Sequence, residues 1–184
     1  MAHRRLSLRF VCYPAQRDAP AAGQMRYGAH HDYGGLTILR QDAPPGGLQI
    51  ADRDGSWHDV PPQPDSFVIN VGDLMSRWTG GRWRSTLHRV VNPPAAQADL
   101  RRLSMVAFTG PNDDAVVSCL PGFRPVDGQL LAPVVAGDYI LGTLALPRWT
   151  WGAPHGWLIG RQGAWPIRKE VWHEHARQSD RRSQ

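Results

Sequence analysis

Short apolar runs separated by turn-forming residues are the feature that most constrains the fold of this 184-residue chain. Residues 67–71 and 105–108 are examples, and 19 glycines and 16 prolines supply frequent turns between such runs. Runs of this length, bounded by turn residues, are typical of β-strands. No long segment with the 3.6-residue period of a helix competes with them before the last quarter of the chain. The sequence therefore predicts a mainly β fold, in a chain long enough for one domain with a substantial core.

A His-x-Asp motif lies in the strand-like run at residues 27–39. Side chains two positions apart on a strand project to the same face, so His30 and Asp32 can reach one metal ion. His31 then points away, unless a bulge intervenes. Such a pair also occurs on surface strands that bind no metal, so the motif alone is weak evidence.

A second strand-like run, at residues 84–91, carries His88. Added to His30 and Asp32, this imidazole completes a set of two histidines and one carboxylate. The set occupies one face of an octahedron and leaves three positions open, an arrangement associated with non-haem Fe(II) oxygenases. We therefore expect these three side chains to bind one metal ion.

A third strand-like run, at residues 101–108, places Arg102 and Ser104 on one face by the same two-residue rule. A guanidinium can bind both oxygens of a carboxylate, and a serine hydroxyl adds a further donor. The pair is therefore a candidate carboxylate receptor. The alternative is an arginine that stays in solvent on an edge strand, which is usual for this residue type.

These motifs, together with runs at residues 8–14, 46–50, 67–74 and 78–82, resemble the 2-oxoglutarate/Fe(II)-dependent oxygenases in both content and order. The resemblance is to the branch related to isopenicillin N synthase and covers about residues 6 to 144. It implies a double-stranded β-helix, the jelly-roll or cupin type of barrel. It also implies Fe(II), 2-oxoglutarate as cosubstrate, and O2.

Carried over residue by residue, the resemblance implies roles for the binding side chains. The iron ligands would be His30, Asp32 and His88. Arg102 and Ser104 would bind the distal carboxylate of 2-oxoglutarate, and Tyr13 would help to hold it. One departure is Val11, where family members frequently have asparagine.

The implied reaction oxidises a small organic substrate and releases succinate and CO2 from 2-oxoglutarate. Hydroxylation is the default outcome, and desaturation or ring closure needs only a different placement of the substrate. Members that use Fe(II) without 2-oxoglutarate remain a further option.

Family members normally have a largely helical region before the strand that begins here at about residue 6. Its loss would uncover apolar surface on one sheet face and favour self-association. The alternative to an active dioxygenase is therefore a truncated, catalytically impaired member that binds metal or acts as an interaction module.

The net charge of +5 arises mainly from the end of the chain. Residues 145–184 hold six arginines and one lysine against three acidic residues, and five of the eight tryptophans. We therefore divide the chain into an oxygenase barrel at residues 1–144 and a Trp/Arg-rich tail at residues 145–184. The tail could be a helix packed on the barrel, a disordered appendage or an out-of-frame extension. Because the basic excess is confined to it, we expect no nucleic-acid partner.

The two cysteines, Cys12 and Cys119, show no metal-binding spacing and no pattern of pairing. This usage indicates reduced thiols and a cytoplasmic protein. No apolar run approaches the length needed to span a membrane, so no membrane association is expected.

Overall fold

The computed structural model describes residues 5–42 and 44–145. Within these ranges the chain forms ten strands, two α-helices and one short 3₁₀ helix at Ala95–Gln97. The helices are α1 (Asp73–Trp78) and α2 (Ala136–Ala145). The strands are β1 (Arg5–Tyr13), β2 (Tyr27–His30), β3 (Leu36–Gln41), β4 (Leu48–Ala51), β5 (Trp57–Asp59), β6 (Val68–Val71), β7 (His88–Val90), β8 (Arg102–Gly110), β9 (Val116–Val117) and β10 (Val134–Val135).

Eight of these strands form two four-stranded antiparallel sheets. The first sheet has the order β1-β8-β3-β6, and the second has the order β2-β7-β4-β5. The chain crosses repeatedly from one sheet to the other, as a jelly-roll barrel requires. The predicted mainly β fold and double-stranded β-helix are confirmed.

The two sheets face each other across a small apolar core. Leu39 of the first sheet packs with Leu48 and Val90 of the second, and each is at most 9% exposed. A second cluster lies around the two helices and includes Leu74 and Ile140. The space between the sheets is therefore partly apolar and partly available to the polar side chains described below.

The outer face of the first sheet carries apolar side chains that are exposed. Leu6, Leu8, Phe10 and Ile69 are each 56–68% exposed, and Met105 is 38% exposed. Strand alternation explains this, because the neighbours of Met105 that point inward include the buried Ser104. The apolar surface expected on one sheet face is present, and we call these five residues the outer apolar face.

Several predicted boundaries differ from the structure. The run at residues 27–39 is two strands rather than one, and the run at residues 84–91 is a strand only over His88–Val90. Helix α2 runs one residue past the predicted domain boundary at residue 144, and the rest of the Trp/Arg-rich tail lies outside the described residues, so the division into barrel and tail stays a prediction. None of the helices in the described ranges is long and apolar enough to cross a membrane.

Candidate metal centre and cosubstrate pocket

Strand pairing brings the two candidate histidine ligands together. His30 and His88 are register partners of β2 and β7, and their ring centroids lie 4.1 Å apart. Asp32 is not positioned by strand pairing, because β2 ends at His30. The register of β2 also shifts between Tyr27 and His30. The backbone carbonyl of Asp32 accepts a hydrogen bond of 2.8 Å from the N–H of Asp73 at the start of α1. Asp32 therefore lies beyond the end of β2 and not on one strand with His30 as predicted, although the two residues do meet.

Two glycines allow the chain after Asp32 to pass through a narrow space. A Cβ on Gly34 would lie 2.5 Å from the carbonyl oxygen of Thr109, and one on Gly72 would lie 2.5 Å from the carbonyl oxygen of Gly34. Real Cβ atoms do not approach this closely. The glycines therefore let the connection between β2 and β3 lie against both β8 and the start of α1, which fixes the position of Asp32.

The three side chains form one compact cluster. The Oδ1 atom of Asp32 lies 3.9 Å from Nε2 of His30 and 3.8 Å from Nε2 of His88. One ligand atom from each residue can be chosen so that all three lie within 4.8 Å of one another. The predicted metal ligands are thus brought together, in the donor set expected for Fe(II) with open positions.

A hydrogen bond to a backbone carbonyl orients each of the two histidines. The Nδ1 atom of His30 lies 2.9 Å from the carbonyl oxygen of Gly28, and that of His88 lies 2.9 Å from the carbonyl oxygen of Thr86. A carbonyl only accepts, so each Nδ1 donates its proton. In the neutral ring, the lone pair is then on Nε2, the atom that faces Asp32. Such hydrogen bonds are typical of histidines that bind metals.

The other oxygen of Asp32 has two neutral donors. The hydroxyl of Thr37 and the side-chain amide of Asn70 both donate to Oδ2 at 2.6 Å. Asp32 is only 7% exposed. A buried carboxylate needs such partners, because an unpaired buried charge costs several kcal/mol.

His31 is separate from this cluster. Its Nδ1 lies 3.2 Å from the hydroxyl of Ser85. Burial lowers the pKa of His31, an effect that the nearby carboxylate of Asp73 opposes. The expectation that His31 does not share the metal with Asp32 agrees with its place in the structure.

Arg102 and Ser104 point between the sheets, as the two-residue rule predicts. Each is 2% exposed, whereas Arg101 and Leu103 are exposed. Arg102 donates from Nη2 to Oε1 of Gln41 at 3.0 Å. Among the described residues, its Nε and the hydroxyl of Ser104 have no hydrogen-bond partner. Unpaired buried donors are costly, so this pair fits an anionic ligand such as a carboxylate.

Tyr13 lies beside this pair. It is the register partner of Arg102, whose guanidinium carbon lies 5.3 Å from the centre of the tyrosine ring. Burial raises the pKa of the Tyr13 phenol, and the charge of Arg102 opposes that shift. Val11 pairs with Ser104 on the same two strands. The valine therefore removes a polar side chain beside the predicted carboxylate site.

Sequence reasoning missed Thr37, Asn70 and Gln41. Asn70 is the one polar residue in the apolar run at residues 67–71, and a polar residue in a half-buried strand needs a partner. That signal was available. Nothing in the sequence marks Thr37 or Gln41 as a buried partner, because threonine and glutamine are common at both buried and exposed strand positions.

Comparison with known proteins identifies the family. The family model described as the 2OG-Fe(II) oxygenase superfamily matches residues 4–111. The chain belongs to this superfamily. The predicted resemblance to the 2-oxoglutarate/Fe(II)-dependent oxygenases is thereby confirmed, and the predicted cofactors Fe(II) and 2-oxoglutarate, with O2 as the usual cosubstrate, are those of this superfamily.

Similar proteins from several organisms agree with this assignment. The chain is 40% identical over 119 residues to a 2-oxoglutarate-Fe(II) type oxidoreductase of Aspergillus fumigatus, covering 64% of this chain and 34% of that protein. It is 47% identical over 104 residues to 1-aminocyclopropane-1-carboxylate oxidase 1 of Oryza sativa, covering 56% of this chain and 31% of that protein.

Solved structures of the superfamily have the same fold. A full-length Neurospora crassa protein in complex with alpha-KG superposes with a TM-score of 0.69 at 35% identity, covering 76% of this chain and 47% of that one. The dioxygenase for auxin oxidation in rice superposes with a TM-score of 0.66 at 31% identity, covering 76% of this chain and 46% of that one. The chain therefore spans about a third of the length of the curated relatives it matches, and under half of these solved chains.

Proposed function

We propose that this chain carries the catalytic centre of a non-haem Fe(II)- and 2-oxoglutarate-dependent dioxygenase that oxidises a small organic substrate by hydroxylation or desaturation. One observation supports this most strongly. The cluster of His30, Asp32 and His88 and the buried, unpartnered donors of Arg102 and Ser104 both belong to the space between the two sheets. Binding of 2-oxoglutarate needs both parts. The metal ion chelates the oxo-acid end of the molecule, and the receptor binds its distal carboxylate.

In this proposal each residue has a defined role. His30, Asp32 and His88 hold Fe(II) through two neutral imidazoles and one carboxylate oxygen. Arg102 and Ser104 bind the distal carboxylate of 2-oxoglutarate, and the Tyr13 side chain packs against Arg102 and borders the cosubstrate. When bound, Fe(II) and 2-oxoglutarate supply oxidation by O2, in which one oxygen atom enters succinate with loss of CO2 and the other reaches the substrate or leaves as water.

The burial of the site supports this chemistry. Asp32, Arg102 and Ser104 are each at most 7% exposed, so the charged groups act in a medium where their interactions are strong. The fixed donors orient 2-oxoglutarate before the reaction and limit the access of water. The reaction therefore depends on positioning by this chain rather than on a further catalytic side chain.

The substrate class is inferred from similar structures. The Neurospora crassa protein has been solved with thymine, and JOX2 with JA. We accordingly propose a small organic substrate for this chain. The proposed division into a barrel at residues 1–144 and a tail at residues 145–184, and a cytoplasmic location, also belong to this hypothesis.

The outer apolar face supports a second candidate. A sheet that exposes Leu6, Leu8 and Phe10 is prone to association with another surface. A catalytically impaired member that binds metal, or an interaction module, would have the same face. Self-association through it is compatible with either candidate.

The test is formation of succinate from 2-oxoglutarate by the full chain, with and without Fe(II). The dioxygenase proposal requires succinate that depends on Fe(II) and is lost in Asp32→Ala. The matched control is His31→Ala, which changes the adjacent histidine outside the cluster. Metal binding without succinate would favour the impaired member instead.

A further inference from the structure

Thr37 and Asn70 form a pair of donors on adjacent strands. They are register partners on β3 and β6, and both point between the sheets toward Asp32. Each donates to the same oxygen, Oδ2, at 2.6 Å, whereas the histidine Nε2 atoms approach the other oxygen, Oδ1. The two oxygens of this carboxylate are therefore in different environments.

The main chain restricts the carboxylate further. The carbonyl of Asp32 accepts the hydrogen bond from Asp73, and the connection that follows is confined by close contacts at Gly34 and Gly72. With the backbone held at one end and Oδ2 held at the other, rotation of the side chain would break two short hydrogen bonds. Hydrogen bonds to a charged acceptor are stronger than those between neutral groups, so this rotation is strongly opposed.

We propose that Thr37 and Asn70 are positioning residues that restrict Asp32 to binding the metal through Oδ1 alone. This inference rests on the proposed function, because it assumes the metal site of His30, Asp32 and His88. Neither donor belongs to the cluster of metal ligands or to the proposed carboxylate receptor. Both act through the carboxylate.

The number of coordination positions shows why this restriction matters. An octahedral ion has six positions, and two imidazoles with one carboxylate oxygen leave three open. Chelation of 2-oxoglutarate would use two of these and would leave one for O2. A carboxylate that bound through both oxygens would occupy a fourth position and leave no place for O2 beside the chelate. Holding Oδ2 in hydrogen bonds to Thr37 and Asn70 prevents this.

The competing explanation is that the two donors only satisfy a buried charge. Their loss would then lower the stability of the metal-free protein without changing how a bound metal is coordinated. Metal coordination, rather than stability or activity alone, distinguishes the two explanations.

The experiment uses Co(II) as the probe and the full chain without O2. Thr37→Val removes the hydroxyl at nearly constant volume, and Asn70→Leu removes the amide. Thr37→Ser keeps the donor and tests rescue. Thr109→Val is the matched control, because the Thr109 hydroxyl bonds to the backbone of Leu36 in the same sheet and not to Asp32. Thr37→Ala serves as a second donor-free variant should Thr37→Val fail to fold.

We expect Thr37→Val and Asn70→Leu to weaken Co(II) binding by about 10- to 100-fold, as for other changes behind metal ligands. Their visible Co(II) spectra should differ from that of the unmodified chain, because a second carboxylate oxygen would replace a solvent ligand. Thr37→Ser and Thr109→Val should keep the spectrum of the unmodified chain. An unchanged spectrum in the donor-free variants would overturn the inference, even if their binding of Co(II) is weaker. Failure of the unmodified chain to bind Co(II) would instead overturn the proposed metal site itself.

Discussion

His30 and His88 are register partners on antiparallel strands, and their imidazole rings lie 4.1 Å apart. Each ring donates its Nδ1 proton to the carbonyl two residues earlier in the chain. The metal-binding geometry is thus fixed by strand pairing and local backbone, and Asp32 completes it from outside the strand. This arrangement makes the role of each residue separately testable.

Loss of a proposed ligand should abolish tight metal binding. We expect His30→Ala, Asp32→Ala or His88→Ala to weaken Fe(II) binding by at least about 100-fold, because each removes one of three protein ligands. Anaerobic titration with Fe(II) measures this. His31→Ala is the matched control and should bind within about threefold of the unmodified chain, since His31 contacts Ser85 instead. Loss of binding in His31→Ala with retention in His30→Ala would reverse the assignment.

Removal of the buried guanidinium should weaken 2-oxoglutarate binding. Truncating one partner of a desolvated ion pair costs roughly 2–5 kcal/mol, so Arg102→Ala should raise the dissociation constant well over tenfold. Arg101→Ala is the matched control, because Arg101 is exposed and immediately precedes β8. Calorimetric titration of the metal-loaded chain measures both. Equal effects of the two substitutions would show that the carboxylate does not bind on the Arg102 face.

Much of this site was predictable from the sequence, and the exceptions have physical causes. Strand alternation correctly predicted that Arg102 and Ser104 share one face, where both are buried, because β8 is a long regular strand. Strand alternation does not explain the position of Asp32, because β2 ends at His30. A hydrogen bond from the N–H of Asp73 to the carbonyl of Asp32 sets the path of the chain there. Long-range pairing such as that of Thr37 with Asn70 depends on sheet topology, which local patterns do not contain.

Close packing at Gly72 predicts a specific loss of stability. A methyl group there would meet the carbonyl oxygen of Gly34 at 2.5 Å, so Gly72→Ala should destabilise the metal-free chain by about 1–3 kcal/mol. Gly142→Ala is the control, because nothing lies within 4 Å of a Cβ at this position in α2. That change should stabilise the chain by about 0.5–1 kcal/mol. Urea unfolding compares them, and similar effects in the two variants would contradict the packing argument.

Exposed side chains on the outer apolar face predict association. Leu8→Lys and Phe10→Glu should each lower the light scattering of concentrated solutions, because they place charges within that face. Val126→Lys is the control, since Val126 is 72% exposed outside the sheet. Unchanged scattering in the face variants, or an equal drop in Val126→Lys, would exclude this face as the cause.

Visible absorption of the anaerobic chain, measured when Fe(II) and 2-oxoglutarate are added together, tests the proposed metal centre most directly. A 2-oxo acid chelated to Fe(II) gives a charge-transfer band that neither component gives alone. We predict this band for the unmodified chain and for His31→Ala, its loss in Asp32→Ala, and a need for well over tenfold more 2-oxoglutarate in Arg102→Ala. Absence of the band in the unmodified chain, or its persistence in Asp32→Ala, would contradict the proposed centre.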